Sequence, residues 1–272
     1  LLDPVPPALR DRMEEIPLPG YTPDEKVAIA RRHLLPRQLE EHGLRPRQLE
    51  IKDAALERII EEYTREAGLR NLERQLGTIC RKAARRFVEG QKRKISVGGR
   101  SMENYLGPVL FFPEVAGRSN EVGVATGLAA TAVGGEILFI EATRMKGEQN
   151  LLLTGQLGEV MQESAQAALS YLRARAGELG IDPEEFAVAD VHLHVPAGAM
   201  PKEGPSAGIA LAAALVSLFS ARPVRSEVAM TGEITLRGRV LPVGGIRDKI
   251  MAAQRAGITT VILPARNEKD LE

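Results

Sequence analysis

The sequence predicts an α+β chain in two parts, an amino-terminal helical bundle followed by a mixed α/β domain. Three observations carry this. Between Thr22 and Gly90 apolar residues recur at helical spacing in successive segments, each bounded by a capping residue or a glycine. A stretch from Val97 to Pro113 then holds Gly98, Gly99, Gly107, Pro108 and Pro113. Beyond it, strand-like runs rich in valine, glycine and alanine alternate with helical ones. The boundary is placed at Pro113, giving domains of residues 1–113 and 114–272.

Residues 1–19 are proline-rich around a short helical piece, Ala8 to Glu15. Thr22-Pro23-Asp24-Glu25 is a capping box with proline at the first helical position, where its missing N–H costs nothing. That helix is expected to reach Glu41, with an interruption at Pro36, and to end at Gly43. A second helix is read over Lys52 to Ala67, stopped by Gly68, and a third over Arg70 to Glu89, stopped by Gly90. Cys80 falls on the apolar stripe of the third helix (Leu72, Leu76, Ile79, Ala83, Phe87) and reads as core.

In the second part, Val122 to Ala130 and Glu136 to Ala142 read as a hairpin turned at Gly134-Gly135. Asn150 to Thr154 is a short strand, and Thr154 is expected to cap a long helix whose stripe is Leu157, Val160, Met161, Ala165, Ala168, Leu169 and Leu172. Ala187 to Val195 reads as a strand and Ile209 to Phe219 as an apolar helix. Thr231 to Arg239 reads as strand, turn, strand. A helix over Ile246 to Ala256 ends at Gly257, and Thr259 to Leu263 is expected to be a buried strand.

Hydrophobic residues make up 44% and charged residues 26% of the chain, the balance of an ordinary globular protein. Residues 1–113 hold 21 Lys+Arg against 17 Asp+Glu, and residues 114–272 hold 15 against 19, too mild a polarity to imply nucleic acid. The basic segment Arg81 to Lys94 interleaves one aromatic, Phe87; DNA is a possible partner there, but a solvated helix face is the plainer reading. One cysteine cannot form an internal disulfide and fits a reducing compartment. The longest apolar run, Ile209 to Phe219, is shorter than the ~20 residues that span a bilayer, so no membrane partner is expected. The chain opens at Leu1 and closes in a charged run, and is read as a piece of something longer.

The chemistry centres on Pro201-Lys202-Glu203-Gly204-Pro205-Ser206-Ala207-Gly208, between a strand and the apolar helix. Ser206 falls at a helix start, where unpaired N–H groups favour developing negative charge. A serine there can be a nucleophile or simply an N-cap. The stretch also matches G-x-S-x-G, but that hydrolase arrangement needs a histidine after the serine; His33, His42, His192 and His194 all precede it. Another base is available in Gly244-Gly245-Ile246-Arg247-Asp248-Lys249-Ile250, where Lys249 falls on the apolar face. Such a lysine can snorkel to water, or lie buried with a lowered pKa and serve as general base. Ser206 and Lys249 are then two halves of a Ser-Lys dyad. His192 and His194 share one side of a strand and could ligate a metal, but no third ligand accompanies them; packing or hydrogen bonding is preferred and no metal is expected.

The stretch PKEGPSAG, the later MTGEITLRGRVLPVGGIRDKIMAAQRAG, and the 43-residue spacing from Ser206 to Lys249 resemble the proteolytic domain of the ATP-dependent Lon proteases. DRMEEI, YTPDEKVAIARRHLLPRQLEEHGL and YTREAGLRNLERQLGTICRKAAR are similar to the helical small subdomain of the Lon AAA+ module. The resemblance covers the whole chain. It implies a serine endopeptidase acting through an acyl-enzyme on misfolded and regulatory proteins, within a cytoplasmic, homo-oligomeric and hexameric ring. Thr231 matches a position beside the dyad and is expected to orient Lys249. Arg12 matches the family's arginine finger and Arg70 its sensor-2 arginine, nucleotide-sensing roles of the intact ring. Where the family commonly has tryptophan, this chain has Ala130. The proteolytic domain implies no cofactor. ATP and magnesium are implied for the intact protein, but the sequence has no G-x-x-x-x-G-K-[ST] loop, so ATP hydrolysis by this chain alone is not expected.

Overall fold

A computed structural model describes residues 20–111, 119–131, 134–196 and 202–271, with 6, 9 and 12–14. The helical piece read at 8–15 lies largely outside the described residues, as do the boundary at Pro113 and the residues between the two strands of the first hairpin. The chain forms two compact units, Leu1–Pro113 with Ala132–Gly134, and Glu114–Thr131 with Gly135–Glu272. Helices together with a mixed sheet make the fold α+β.

In the first unit, α1 (Pro23–Ile29) starts at a complete capping box: Thr22 Oγ1 accepts from Glu25 N–H, and the Glu25 carboxylate accepts from Thr22 N–H. The interruption ahead of Pro36 takes the form of a π turn over Ala30–Leu34, with Leu35 N–H donating to Ala30 O. A proline has no N–H to give and its ring crowds the carbonyl four residues back; widening the preceding turn relieves both. After α2 (Leu35–Glu41), Gly43 at φ +66° lets Leu44 N–H reach Leu39 O and Gly43 N–H reach Glu40 O.

The next helix, α3 (Asp53–Glu62), ends at Tyr63, short of the expected Ala67. Thr64 Oγ1 donates back to Ile60 O and Tyr63 OH to Gly107 O. The extended link beyond brings the Glu66 carboxylate over the start of α4 (Arg70–Val88), where it accepts from Asn71 and Leu72 N–H. A helix continued to Ala67 would hold that carboxylate away. Strands β1 (Leu49–Ile51) and β2 (Ile95–Val97) pair in parallel, and α5 (Met102–Leu106) closes the bundle core, which includes Leu56, Ile59, Leu72, Leu76, Ile79 and Cys80.

Among the described residues, the second unit is built on a six-stranded sheet. Its strands are β3 (Val124–Thr131), β4 (Gly134–Lys146), β5 (Leu151–Thr154), β6 (Ala189–His194), β7 (Val228–Met230) and β10 (Thr260–Ile262), in the order β10-β7-β3-β4-β6-β5. β5 and β6 are parallel, as are β3, β7 and β10, while β4 runs antiparallel to β6. Side chains alternate across β4: Leu138 and Ile140 enter the core with α6 (Glu159–Arg175) and α8 (Gly208–Ser220), while Ile137 and Phe139 enter a smaller one with α9 (Ile246–Arg255). Helices therefore cover both faces. A short helix α7 (Glu184–Ala187) leads into β6, and a two-stranded hairpin, β8 (Glu233–Ile234) with β9 (Val240–Leu241), precedes α9.

Two expectations change here. β10 is not buried: it is an edge strand with an exposed–intermediate–exposed pattern, since among the described residues no strand flanks its outer side. Thr154 does not cap α6. The cap position is Gly158, and the Thr154 hydroxyl instead meets His192 Nε2 at 2.8 Å and His194 Nδ1 at 2.7 Å. Pairing in register with His194 on the adjacent strand leaves Thr154 too far from the helix start to serve it.

Candidate active site

Two loops and one helix of the second unit meet near the amino end of α8. Gly204 at φ +92°, followed by Pro205, turns the chain into Ser206, which is half-buried. The helix starts at Gly208 with Ala207 at the cap position, so Ser206 stands one residue ahead of the N-cap. Its backbone is held firmly. The Ser206 carbonyl accepts from Gly232 N–H at 2.8 Å and from Thr231 Oγ1 at 3.0 Å, and Ile209 N–H donates to Gly232 O at 3.1 Å. The loop between β7 and β8 is thereby stitched to the serine turn.

Lys249 arrives from α9. Gly245 at φ +69° begins that helix, and Ile246, Lys249 and Ala253 form its most buried line. Ile250 is only partly buried, so the buried face is centred closer to the lysine than an Ile246–Ile250 stripe implies. The close approach of α9 to β4 depends on Gly135, where an added Cβ would overlap the carbonyl oxygen of Asp248. Lys249 is 1% exposed, which excludes snorkelling. Its Nζ donates to Thr231 Oγ1 at 3.0 Å. Burial pushes its pKa down from 10.5 to about 8, because removing an ammonium from water penalises the charged form.

Thr231, also 1% exposed, thus links the two: Lys249 Nζ to Thr231 Oγ1, and Thr231 Oγ1 to the Ser206 carbonyl, each 3.0 Å. A neutral amine in this place donates one N–H to the threonine and keeps a lone pair to receive a proton. What the arrangement can do chemically is activate a hydroxyl by proton removal beside a helix amino terminus.

The structure brings Ser206, Thr231 and Lys249 together. Arg12 and Arg70 are exposed side chains of the other unit, the latter the first residue of α4. His192 and His194 share the Thr154 hydroxyl, and among the described residues no group of three His, Cys, Asp or Glu is arranged to hold a metal. Among the described residues no helix is long and apolar enough to cross a membrane. Cys80 is fully buried, and burial pushes its thiol up to about 11. Sequence reasoning missed Gly135 as a packing requirement and Lys202 as a buried group. The double glycine that opens β4 was an available signal for the first. A lysine in an irregular turn has no periodicity to reveal the second.

Comparison with known proteins identifies two matching families. Residues 96–272 match the profile of the Lon protease C-terminal proteolytic domain, and residues 40–95 that of the Lon protease AAA+ ATPase lid domain. The chain is 56% identical over 271 residues to a Lon protease of Geobacter metallireducens, covering 100% of this chain and 33% of the relative. It is 59% identical over 272 residues to one of Methylocella silvestris (100% and 34%), and 56% identical over 267 residues to Lon protease 2 of Thermus thermophilus (98% and 33%). The chain spans about a third of the length of the curated relatives it matches.

Proposed function

The chain belongs to the Lon protease family, and from that premise we propose that it is a serine endopeptidase module in which Ser206 is the nucleophile, Lys249 the general base and Thr231 the residue that orients the base. The observation that carries this reading is the state of Lys249: 1% exposed, pKa about 8, and joined to the serine turn through a single threonine hydroxyl.

Neutral Lys249 takes the Ser206 hydroxyl proton as the serine oxygen attacks the peptide carbonyl. The resulting oxyanion forms beside the amino terminus of α8, where the helix dipole and backbone N–H groups favour it. The Lys249 ammonium then gives its proton to the leaving amine, and the peptide C–N bond breaks. The neutral amine next deprotonates a water, which attacks the acyl ester, and the proton returns to Ser206 as the acid product leaves. Thr231 keeps the lysine's head from rotating away during both transfers.

As the wider reading, the module works within an ATP-dependent protease degrading misfolded and regulatory proteins, assembled as a cytoplasmic hexameric ring. ATP and magnesium act elsewhere in that assembly, with Arg12 and Arg70 reporting nucleotide state. The proteolytic reaction itself uses no cofactor. The domains proposed are residues 1–113 and 114–272. The decisive experiment is mass spectrometry after treatment with a peptide β-lactone, on wild type and Lys249→Ala. An adduct on Ser206 that is lost in the lysine variant is the expected result. An adduct elsewhere with full peptidase activity in Ser206→Ala refutes the assignment.

A further inference from the structure

Lys202 is buried beside the proposed nucleophile, at 7% exposure, and the reaction above gives it no task. Its Nζ donates to Gly155 O at 2.6 Å and to Val195 O at 3.2 Å. These two residues directly follow the paired ends of β5 and β6, where Thr154 lies opposite His194 and Val195 N–H donates to Thr154 O. The Lys202 backbone is tied to the same place. Its N–H donates to Gln156 O at 3.1 Å, and its carbonyl accepts from Gly158 N–H at 2.9 Å. Gly155 sits at φ +110° against the Val195 backbone, with no room for a Cβ, so its carbonyl position is set by close contact rather than by a free loop.

We propose that Lys202 is a positioning residue of the Ser206 site: its ammonium gathers the carbonyls at the carboxyl ends of β5 and β6 and so anchors the amino end of the turn that carries the serine. This rests on reading Ser206 as the nucleophile. The turn from Lys202 to Ser206 is then pinned at both ends. At one end it is held by four hydrogen bonds of Lys202, and at the other by Gly232 N–H and Thr231 Oγ1 on the Ser206 carbonyl. Between them lie only Glu203, Gly204 and Pro205, and the proline leaves little freedom to absorb a shift. With so short a connection, a displacement at Lys202 is passed to the serine turn through Gly204 and Pro205.

The same geometry separates the two buried lysines. Carbonyl oxygens accept but cannot donate, so a neutral Lys202 would leave its lone pair buried without a donor. Burial pushes the Lys202 pKa below its ordinary value, and the nearby negative charge of Glu136 opposes that shift only in part, so it is the anchoring of Nζ to the Gly155 and Val195 carbonyls that favours the ammonium here. Lys202 is thus a charged tether through charge-assisted hydrogen bonds. Lys249, whose partner is a hydroxyl, is suited to lose its proton.

The test is made in the complete gene product, with Ser206→Ala, Lys202→Met and Lys202→Arg compared by thermal melting, peptide-hydrolysis kinetics and the rate of Ser206 labelling by a peptide β-lactone. Full hydrolysis by Ser206→Ala would remove the nucleophile reading and this one together. With Ser206→Ala inactive, the expected result is that folded Lys202→Met loses at least ~100-fold in kcat, keeps KM within about threefold, and labels correspondingly slowly. A folded Lys202→Met with kcat within about threefold of wild type, or with only KM changed, overturns the role of Lys202 and leaves the dyad standing. Should Lys202→Met melt below assay temperature, Lys202→Arg decides. Recovery of kcat to within about tenfold supports the tether, and a folded arginine variant as slow as Ser206→Ala overturns it.

Discussion

Replacing Lys249 by methionine is expected to make the protein more stable at neutral pH while abolishing its chemistry. Lys249 has an ordinary pKa of 10.5 that burial lowers to about 8. Below pH 8 the group is protonated in both the folded and unfolded chains, and the folded state bears the whole cost of the buried ammonium. At 1.36 kcal/mol per pH unit that cost is roughly 3 kcal/mol. Between pH 8 and 10.5 the folded chain has released the proton and the unfolded chain still holds it, so stability rises with pH and the cost fades. Methionine is close in volume and has no charge to bury, but it forfeits the hydrogen bond to Thr231, worth about 1 kcal/mol. The net gain for Lys249→Met is therefore about 2 kcal/mol at pH 7, shrinking with pH and changing sign near pH 10. Urea unfolding of both proteins at several pH values between 6 and 10.5 measures this directly. A methionine variant that is less stable than wild type at pH 7, or a difference that does not move with pH, refutes the claim that Lys249 is buried and poorly solvated.

Three further outcomes follow from the same geometry. Thr231→Val keeps the shape but removes the link between Lys249 and the Ser206 carbonyl; kcat should fall about 10- to 100-fold, with roughly 1–2 kcal/mol of stability lost, read from peptide kinetics and urea unfolding. Gly135→Ala drives a methyl group into the Asp248 carbonyl, so α9 must shift; a loss of at least about 1–3 kcal/mol is expected, with activity falling as Lys249 moves, and an unchanged melt would contradict the packing. Cys80, fully buried with its thiol raised to about 11, should resist a disulfide reagent in the native protein and react fully once urea unfolds it; fast native labelling would show the helical core to be open.

The helices of both units were read best where the signal is carried by a few adjacent residues. The Thr22 capping box and the glycine stops at Gly43 and Gly257 act through contacts within four or five residues, so the sequence alone displays them. The end of α3 was misplaced because its reason is remote: Tyr63 reaches Gly107, and Glu66 is drawn off to the start of another helix. Thr154 was misread as a cap because a threonine before a helix has the right chemistry for one, and only strand pairing puts two histidines in its way. The edge position of β10 was likewise invisible, since an apolar run of three or four residues looks the same in the middle of a sheet as at its margin.

By itself, the sequence determined the α+β class, the family, and which hydroxyl and amine were candidates for chemistry, because those depend on residue type, spacing and local turn preference. Whether Lys249 is a solvated cation or a buried amine was decided only by the tertiary structure. Its solvation depends on Gly135 letting α9 against β4 and on Thr231 arriving from another strand end, 114 and 18 residues away in the chain. Desolvation is a sum over neighbours in space, and no local pattern records it.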